Sequence, residues 1–228
     1  VDPFAGLEAD RSLLDRASTA DRLADLLRTR ITEGHIRPGT RLSEEAIGGA
    51  LKVSRNTLRE AFRLLTHERL LVHELNRGVF VRQLAVEDVA DLYRVRRIIE
   101  CSVVREITSP PGERLAPVEV AVVAGEDAAR RQSWRELGTA NIHFHQAISA
   151  LAGSARVDDL MRGLLAELRL VFHVMTDPQR FHEPYLTRNR EILTALEKGD
   201  GTGAEQLLAS YLGDAERQLA DAYRTKSL

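Results

Sequence analysis

The chain has 228 residues but only one cysteine, two methionines, one tryptophan and 5% aromatic residues, and its charges nearly cancel, 32 Lys+Arg against 34 Asp+Glu. Each scarcity removes a class of protein. The lone Cys101 cannot close an internal disulfide and leaves no thiolate set for a structural zinc, as suits a reducing compartment. Long hydrophobic runs are missing too. The longest nearly apolar stretch, Val118 to Ala124, contains Glu119 and falls far short of the roughly 18 to 20 residues that span a bilayer. Val1 to Leu14 is acidic rather than basic and then apolar, so no signal peptide is expected and the reading is of a soluble cytoplasmic protein without a membrane partner. With 43% hydrophobic residues and no large excess of one charge, the chain is globular rather than disordered, and its length suits one or two domains.

A net charge of -2 argues at first sight against a nucleic-acid partner, but the total is an average over unlike parts. Residues 16 to 82 carry 13 Lys+Arg against 8 Asp+Glu, a net of +5, and the remainder carries 19 against 26, a net of -7. A small basic module is fused to a larger acidic one. Such asymmetry is a hint of a nucleic-acid-binding segment, because phosphate neutralisation drives that affinity.

Hydrophobic spacing organises both parts. Leu23, Leu26, Leu27 and Ile31 predict a helix over about 19 to 33, opened by the capping residues Ser18 and Asp21 and closed by Gly34. After the Pro38-Gly39 turn, Ser43 caps a short second helix with Ala46, Ile47, Ala50 and Leu51 on one face. Across Lys52-Val53, Ser54 caps a third helix with the apolar stripe Leu58, Ala61, Phe62 and Leu65, its other face carrying Arg55, Asn56, Arg59 and Arg63. Leu70 to Leu75 and Val79 to Arg82 then read as a hairpin about Asn76-Arg77-Gly78. Three helices and a hairpin predict a winged helix-turn-helix over 16 to 82. From Glu87 onward all strong signals are helical, over about 88 to 108, 115 to 130, 133 to 151, 156 to 175, 183 to 198 and 202 to 224, punctuated by Gly153, Pro178, Pro184, Gly199, Gly201 and Gly203. The fold class is therefore mainly α: an N-terminal winged helix-turn-helix followed by an all-helical bundle over 87 to 228, large enough for its own core.

In a helix-turn-helix the second helix of the pair enters the major groove, and its first residues reach bases and phosphates. Here it opens Ser54-Arg55-Asn56-Thr57 and continues to Arg59. Arginine pairs bidentately with guanine, asparagine with adenine, and small hydroxyls hold phosphates at the positive helix terminus. Arg77 beside Gly78 suits minor-groove or backbone contact. A charged face is usually only solvated; the helix pair, the wing and the +5 balance together argue otherwise here.

Gly34 to Glu44 (GHIRPGTRLSE), Val53 to Ala61 (VSRNTLREA) and Asn76 to Val81 (NRGVFV) together resemble the DNA-binding domain of GntR-family bacterial transcription regulators. Leu92 to Glu100 (LYRVRRIIE) is similar to the first helix of the FCD effector domain, as in the FadR-like subfamily. The resemblance implies homodimers on palindromic operator DNA, with Ser54, Arg55, Asn56, Thr57, Arg59, Arg77 and Gly78 as operator contacts. Glu45 departs from relatives that place a DNA-contacting arginine there, and its carboxylate would repel phosphate.

In the second part, polar residues sit on apolar stripes: Asn141 and His145 among Trp134, Leu137, Phe144 and Ile148, with His143 pointing elsewhere. Asn189 lies between Leu186 and Leu193, Tyr211 continues the line of Leu208, Ala215 and Leu219, and Arg96 shares a face with Leu92, Ile99 and Val103. Each alone is most simply a hydrogen-bonded core residue; five converging from four helices predict an effector pocket. A buried arginine needs a partner, and a carboxylate-like effector is one way to supply it. The resemblance implies a divalent metal held by an Asp and His four apart and two later His. Those positions are Asn141, His145, Asn189 and Tyr211, so one ligand of the four remains and neither a bound metal nor another cofactor is expected. His173 and His182 could supply replacements, which leaves a metal-dependent effector sensor as a further alternative. The reading is of a ligand-responsive transcription regulator, usually a repressor, that senses a small organic acid. A constitutive DNA-binding protein with a closed pocket is the alternative. An enzyme on the bundle is disfavoured, since His145 has neither an evident nucleophile nor an orienting carboxylate.

Overall fold

The computed structural model describes residues 18–172 and 178–226. The chain divides into two compact units between Gln83 and Leu84. Among the described residues no helix is long and apolar enough to cross a membrane.

The first unit begins with α1 (Thr19–Thr32), opened by a capping box in which the Ser18 hydroxyl accepts from the Asp21 amide at 3.1 Å and the Asp21 carboxylate accepts from the Ser18 amide at 2.8 Å. Ser43 and Ser54 cap α2 (Glu44–Leu51) and α3 (Arg55–His67) in the same way, each accepting from the amide three residues on. Lys52 ends α2 in a left-handed conformation, φ 53°, which turns the chain into α3. Leu23, Leu27 and Ile31 of α1 bury against the stripe Leu58, Ala61, Phe62 and Leu65 of α3. Arg28 ties the two helices at their ends through Glu68, at 2.6 Å.

The wing has three strands where the sequence predicts two. β2 (Leu71–Glu74) and β3 (Gly78–Val81) form the expected hairpin, in register Leu71↔Val81 to Glu74↔Gly78. β1 (Arg41–Leu42) adds to the other side of β3, with Arg41 opposite Phe80, for a sheet order β1-β3-β2. Two residues are too few for a period-2 pattern to register in the sequence.

The described residues of the second unit form helices and the turns that join them. α4 (Val86–Arg96) runs through a π-helical turn (Arg97–Cys101) into α5 (Ser102–Arg105), starting slightly before the predicted 88. A 3₁₀ turn (Gly112–Leu115) leads to α6 (Ala116–Arg130), followed by α7 (Trp134–Ala150), α8 (Ala155–Phe172), α9 (Pro178–Glu197) and α10 (Gly201–Lys226). α10 packs on α4, the π turn, α5 and α9, while α7 packs on α6, α8 and α9.

Two sequence expectations change. The buried face of α4 carries Val89, Leu92, Tyr93 and Arg96, and the π turn then buries Glu100 while Val95 and Ile99 are only half-buried. Arg96, Glu100, Val103 and Val104 keep helical spacing through that turn, so the buried face continues past it. Pro184, expected near a helix start, lies inside α9. Proline cannot donate to the carbonyl four residues back, which here belongs to Arg180. The Gln218 side chain of α10 covers that carbonyl at 3.5 Å and is itself held by the Tyr185 hydroxyl at 3.0 Å.

Leu58 has no solvent exposure and sits where α3 meets α1. Leu58→Ala is expected to cost about 2–5 kcal/mol, read as a lower urea midpoint, with an exposed control, Leu75→Ala in the hairpin, staying within about 0.5 kcal/mol.

Candidate functional site

The first unit carries exposed basic residues at the start of α3 and at the wing tip. α3 has no acidic residue in its first turn, so its positive terminus is uncompensated where Arg55 and Asn56 stand exposed. Ser54 and Thr57 close the turn on themselves, their hydroxyls 2.8 Å apart. Arg59, one turn on, points outward and is held by Glu44 of α2 at 3.2 Å. At the wing, Asn76 takes a left-handed conformation (φ 61°) and Gly78 has φ 110°, a region that side chains rarely adopt. A Cβ at Gly78 would also come within 3.2 Å of the Arg41 guanidinium. Arg77 is exposed, paired with Glu74 and placed over the Phe80 ring, 5.5 Å from its centre. The seven residues expected to contact DNA thus lie on the outward start of α3 and the wing tip of a single unit.

In the second unit, the five expected pocket residues form one buried chain of polar contacts with a sixth. Arg96 Nε donates to Glu100 Oε1 at 2.8 Å, and Glu100 Oε2 lies 2.6 Å from His145 Nδ1. His145 Nε2 lies 3.1 Å from the Tyr211 hydroxyl, which reaches Asn141 Oδ1 at 2.9 Å, and Asn189 Nδ2 donates to that same oxygen at 2.9 Å. Every member is buried, Glu100 with no exposure at all. The partner expected of a bound acid is thus supplied internally: Arg96 is neutralised by Glu100. Glu100 stands four residues from Arg96, so the two side chains share one buried face across the π turn.

The electrostatics follow from burial and pairing. Burial pushes the Glu100 carboxyl up, yet the Arg96 charge, together with the hydrogen bonds from His145 and Arg96, outweighs it and holds the group below its ordinary value. Burial likewise opposes charge on Arg96, and Glu100 overcomes it, raising Arg96 further. Burial first and the Arg96 charge second keep His145 below its ordinary value, so a neutral ring donates from Nδ1 to Glu100. Nε2 is then an acceptor, and Tyr211 has one proton for two acceptors. Burial raises the Tyr211 phenol well above its usual value, which keeps that proton in place.

These residues do not fit a divalent cation. Two neutral amides and an un-ionised phenol are poor ligands, and both nitrogens of His145 already have partners. Among the described residues no group of three or more His, Cys, Asp and Glu could hold a metal. His173 lies outside the described residues. His182 stands apart from the chain of contacts, stacked edge-on against Phe172 and Phe181 and beside Arg169, whose charge opposes a cation. Gly138 makes that approach possible, since a Cβ there would lie 2.9 Å from His182 Nε2. His143 is exposed.

Among the described residues, two buried atoms of this chain of contacts have no hydrogen-bond partner, Arg96 Nη2 and Asn189 Oδ1, as has His182 Nδ1 apart from it. Such atoms are costly unless something binds them.

Two outcomes test this chemistry. Glu100→Ala is expected to cost about 3–5 kcal/mol by leaving Arg96 charged and unpaired, whereas the Arg96→Met/Glu100→Leu double variant should unfold at a higher urea concentration than Glu100→Ala. Burial, then Arg169, pushes His182 down to about 4 from an ordinary 6.5. The unfolded chain therefore binds the proton first, so the stabilisation is full above pH 6.5 and is lost as pH falls towards 4. Urea titrations at pH 7.5 and pH 5 should differ by about 2 kcal/mol more in the parent than in His182→Gln; equal pH dependence would remove His182 from the account.

Comparison with known proteins agrees with this architecture. Residues 19–81 match the family described as bacterial regulatory proteins, gntR family, and residues 91–214 match the FCD domain. The chain is similar to the solved structure of a GntR transcriptional regulator from Rhodococcus sp. RHA1, at 50% identity and a TM-score of 0.87 over 91% of this chain and 100% of that one. It is 28% identical to the HTH-type transcriptional repressor RspR of Escherichia coli K12 over 82% of each chain. It is 31% identical to the Nta operon transcriptional regulator of Aminobacter aminovorans over 67% of this chain and 73% of that one. The chain belongs to the GntR family of bacterial transcription regulators, its larger unit being an FCD domain, and is a DNA-binding regulator rather than an enzyme.

Proposed function

We propose that this regulator is a repressor that binds a palindromic operator as a homodimer and is released by a small organic acid. Ser54, Arg55, Asn56, Thr57 and Arg59 read the major groove, and Arg77 and Gly78 contact the neighbouring minor groove or backbone. Supporting this is a helix start that carries exposed Arg55 and Asn56 with no acidic residue in its first turn. The relative RspR is named a repressor.

The observation that carries the effector reading is the pair of unpartnered buried atoms at the two ends of the polar chain, Arg96 Nη2 and Asn189 Oδ1. Glu100 takes Arg96 through Nε and leaves Nη2 for a second carboxylate. Asn189 Oδ1 asks for a donor, such as the hydroxyl of a hydroxy acid. Arg96, Asn141, His145, Asn189 and Tyr211 then form the effector site, with Glu100 holding Arg96 in place. For regulation, the effector must bind the DNA-incompetent form more tightly than the competent one.

The second reading is a constitutive DNA-binding regulator whose pocket is closed. It is favoured by the mutual pairing of all six groups, which needs no ligand to hold it.

Thermal melts across a panel of hydroxy and dicarboxylic acids separate the two. The effector reading expects one acid to raise the melting temperature and to weaken binding to the DNA upstream of the regulator's own operon, with Asn189→Ala losing both responses. A flat panel favours the constitutive reading. On that DNA, Arg55→Ala and Arg59→Ala should each lose about 1–3 kcal/mol of discrimination against random sequence. Unchanged discrimination in both would move the base contacts elsewhere.

A further inference from the structure

The recognition helix and the wing are separated by an open cleft of about 1170 Å³, whose walls include Arg41, Arg59 and Arg63 together with Glu44 and Glu45. We propose that this cleft receives the DNA sugar-phosphate backbone and that Arg41, on β1, is a phosphate contact beyond those on α3 and the wing tip. The inference rests on the DNA-binding function and on the placement of α3 and the wing in adjacent grooves.

The geometry of the duplex supplies the first step. A major groove and its neighbouring minor groove are divided by one sugar-phosphate strand. A module with one element in each groove must straddle that strand, so whatever lies between α3 and the wing faces phosphates.

Charge pairing supplies the second. Arg59 is held by Glu44 at 3.2 Å, Arg63 by Glu60 at 2.6 Å, and Arg77 is paired with Glu74. Arg41 is exposed and has no carboxylate partner among the described residues. A phosphate can therefore engage Arg41 without first breaking an ion pair. Glycine at position 78 makes room for it, because any Cβ there would press within 3.2 Å of the Arg41 Nε. The backbone pairing of Arg41 with Phe80 fixes where the side chain starts. Glu45 is an exposed carboxylate on the same cleft and opposes a phosphate there.

Because a phosphate contact carries no sequence information, its signature is the salt dependence of binding. The experiment is a fluorescence-anisotropy titration of the full chain against a labelled mixed-sequence duplex over a series of NaCl concentrations. Arg41→Gln should weaken binding about five- to ten-fold near 0.1 M salt and reduce the slope of log K against log salt by about one per bound protomer. Arg41→Lys should keep the slope, since counterion release depends on charge rather than shape. Glu45→Gln should strengthen binding, and Arg162→Gln on α8 should leave the slope as it was. Should Arg41→Gln disturb the strand in circular-dichroism melts, Arg41→Thr, neutral and suited to a strand, carries the same expectation. An unchanged slope in a folded neutral variant overturns the assignment of Arg41 while leaving DNA binding standing. A parent protein that fails to bind this duplex even at about 0.05 M salt removes the non-specific phosphate binding on which the assignment rests, and overturns Arg41 with it.

Discussion

A carboxylate with no access to water, held between a guanidinium and an imidazole, is the constraint on which the helical domain depends. Taking an ion such as Glu100 out of water costs several kcal/mol, and only close, well-aligned partners offset that. Arg96 lies at the end of α4, Glu100 in the π turn, His145 and Asn141 on α7, Tyr211 on α10 and Asn189 on α9. No helix satisfies the carboxylate and its neighbours alone. The polar chain therefore specifies how these elements align, while the surrounding leucines and valines supply most of the burial.

The DNA-binding unit uses charge differently. Its ion pairs, Arg59 with Glu44, Arg63 with Glu60 and Arg77 with Glu74, are solvent-exposed and so worth at most about 1 kcal/mol each. Weak pairs orient a side chain without locking it away from a stronger anion. Charge is held tightly where geometry must persist and loosely where it must be exchanged. This distinction in burial matters more than the overall charge of -2, which averages a basic unit with an acidic one.

Much of this was legible in the chain itself. Ser18, Ser43 and Ser54 precede amphipathic runs at cap positions, and each caps its helix. Asn141, His145, Asn189, Tyr211 and Arg96 interrupt apolar stripes at helical spacing, and the folded chain brings all five into one network. Periodicity identifies an inward-facing polar group but says nothing about its partner. Glu100 falls on the same face as Arg96, but a glutamate is ordinarily a surface residue, and its interior place shows only in the partners that Arg96 and His145 supply. Two-residue β1 is too short to leave a pattern, and Pro184 reads as punctuation although α9 runs through it.

The sequence by itself determined the order of the elements, the placement of the basic surface on the first unit and the set of polar residues that turn inward. These follow from local spacing, caps and composition, which act over one or two helical turns. Tertiary structure alone decided which inward group meets which: that Arg96 is neutralised within the chain, that His145 lies between Glu100 and Tyr211, and that Arg41 joins the wing beside Gly78. Those pairings join residues as far apart as Asn141 and Tyr211, and hydrogen bonds and desolvation depend on distances in space that no local pattern encodes.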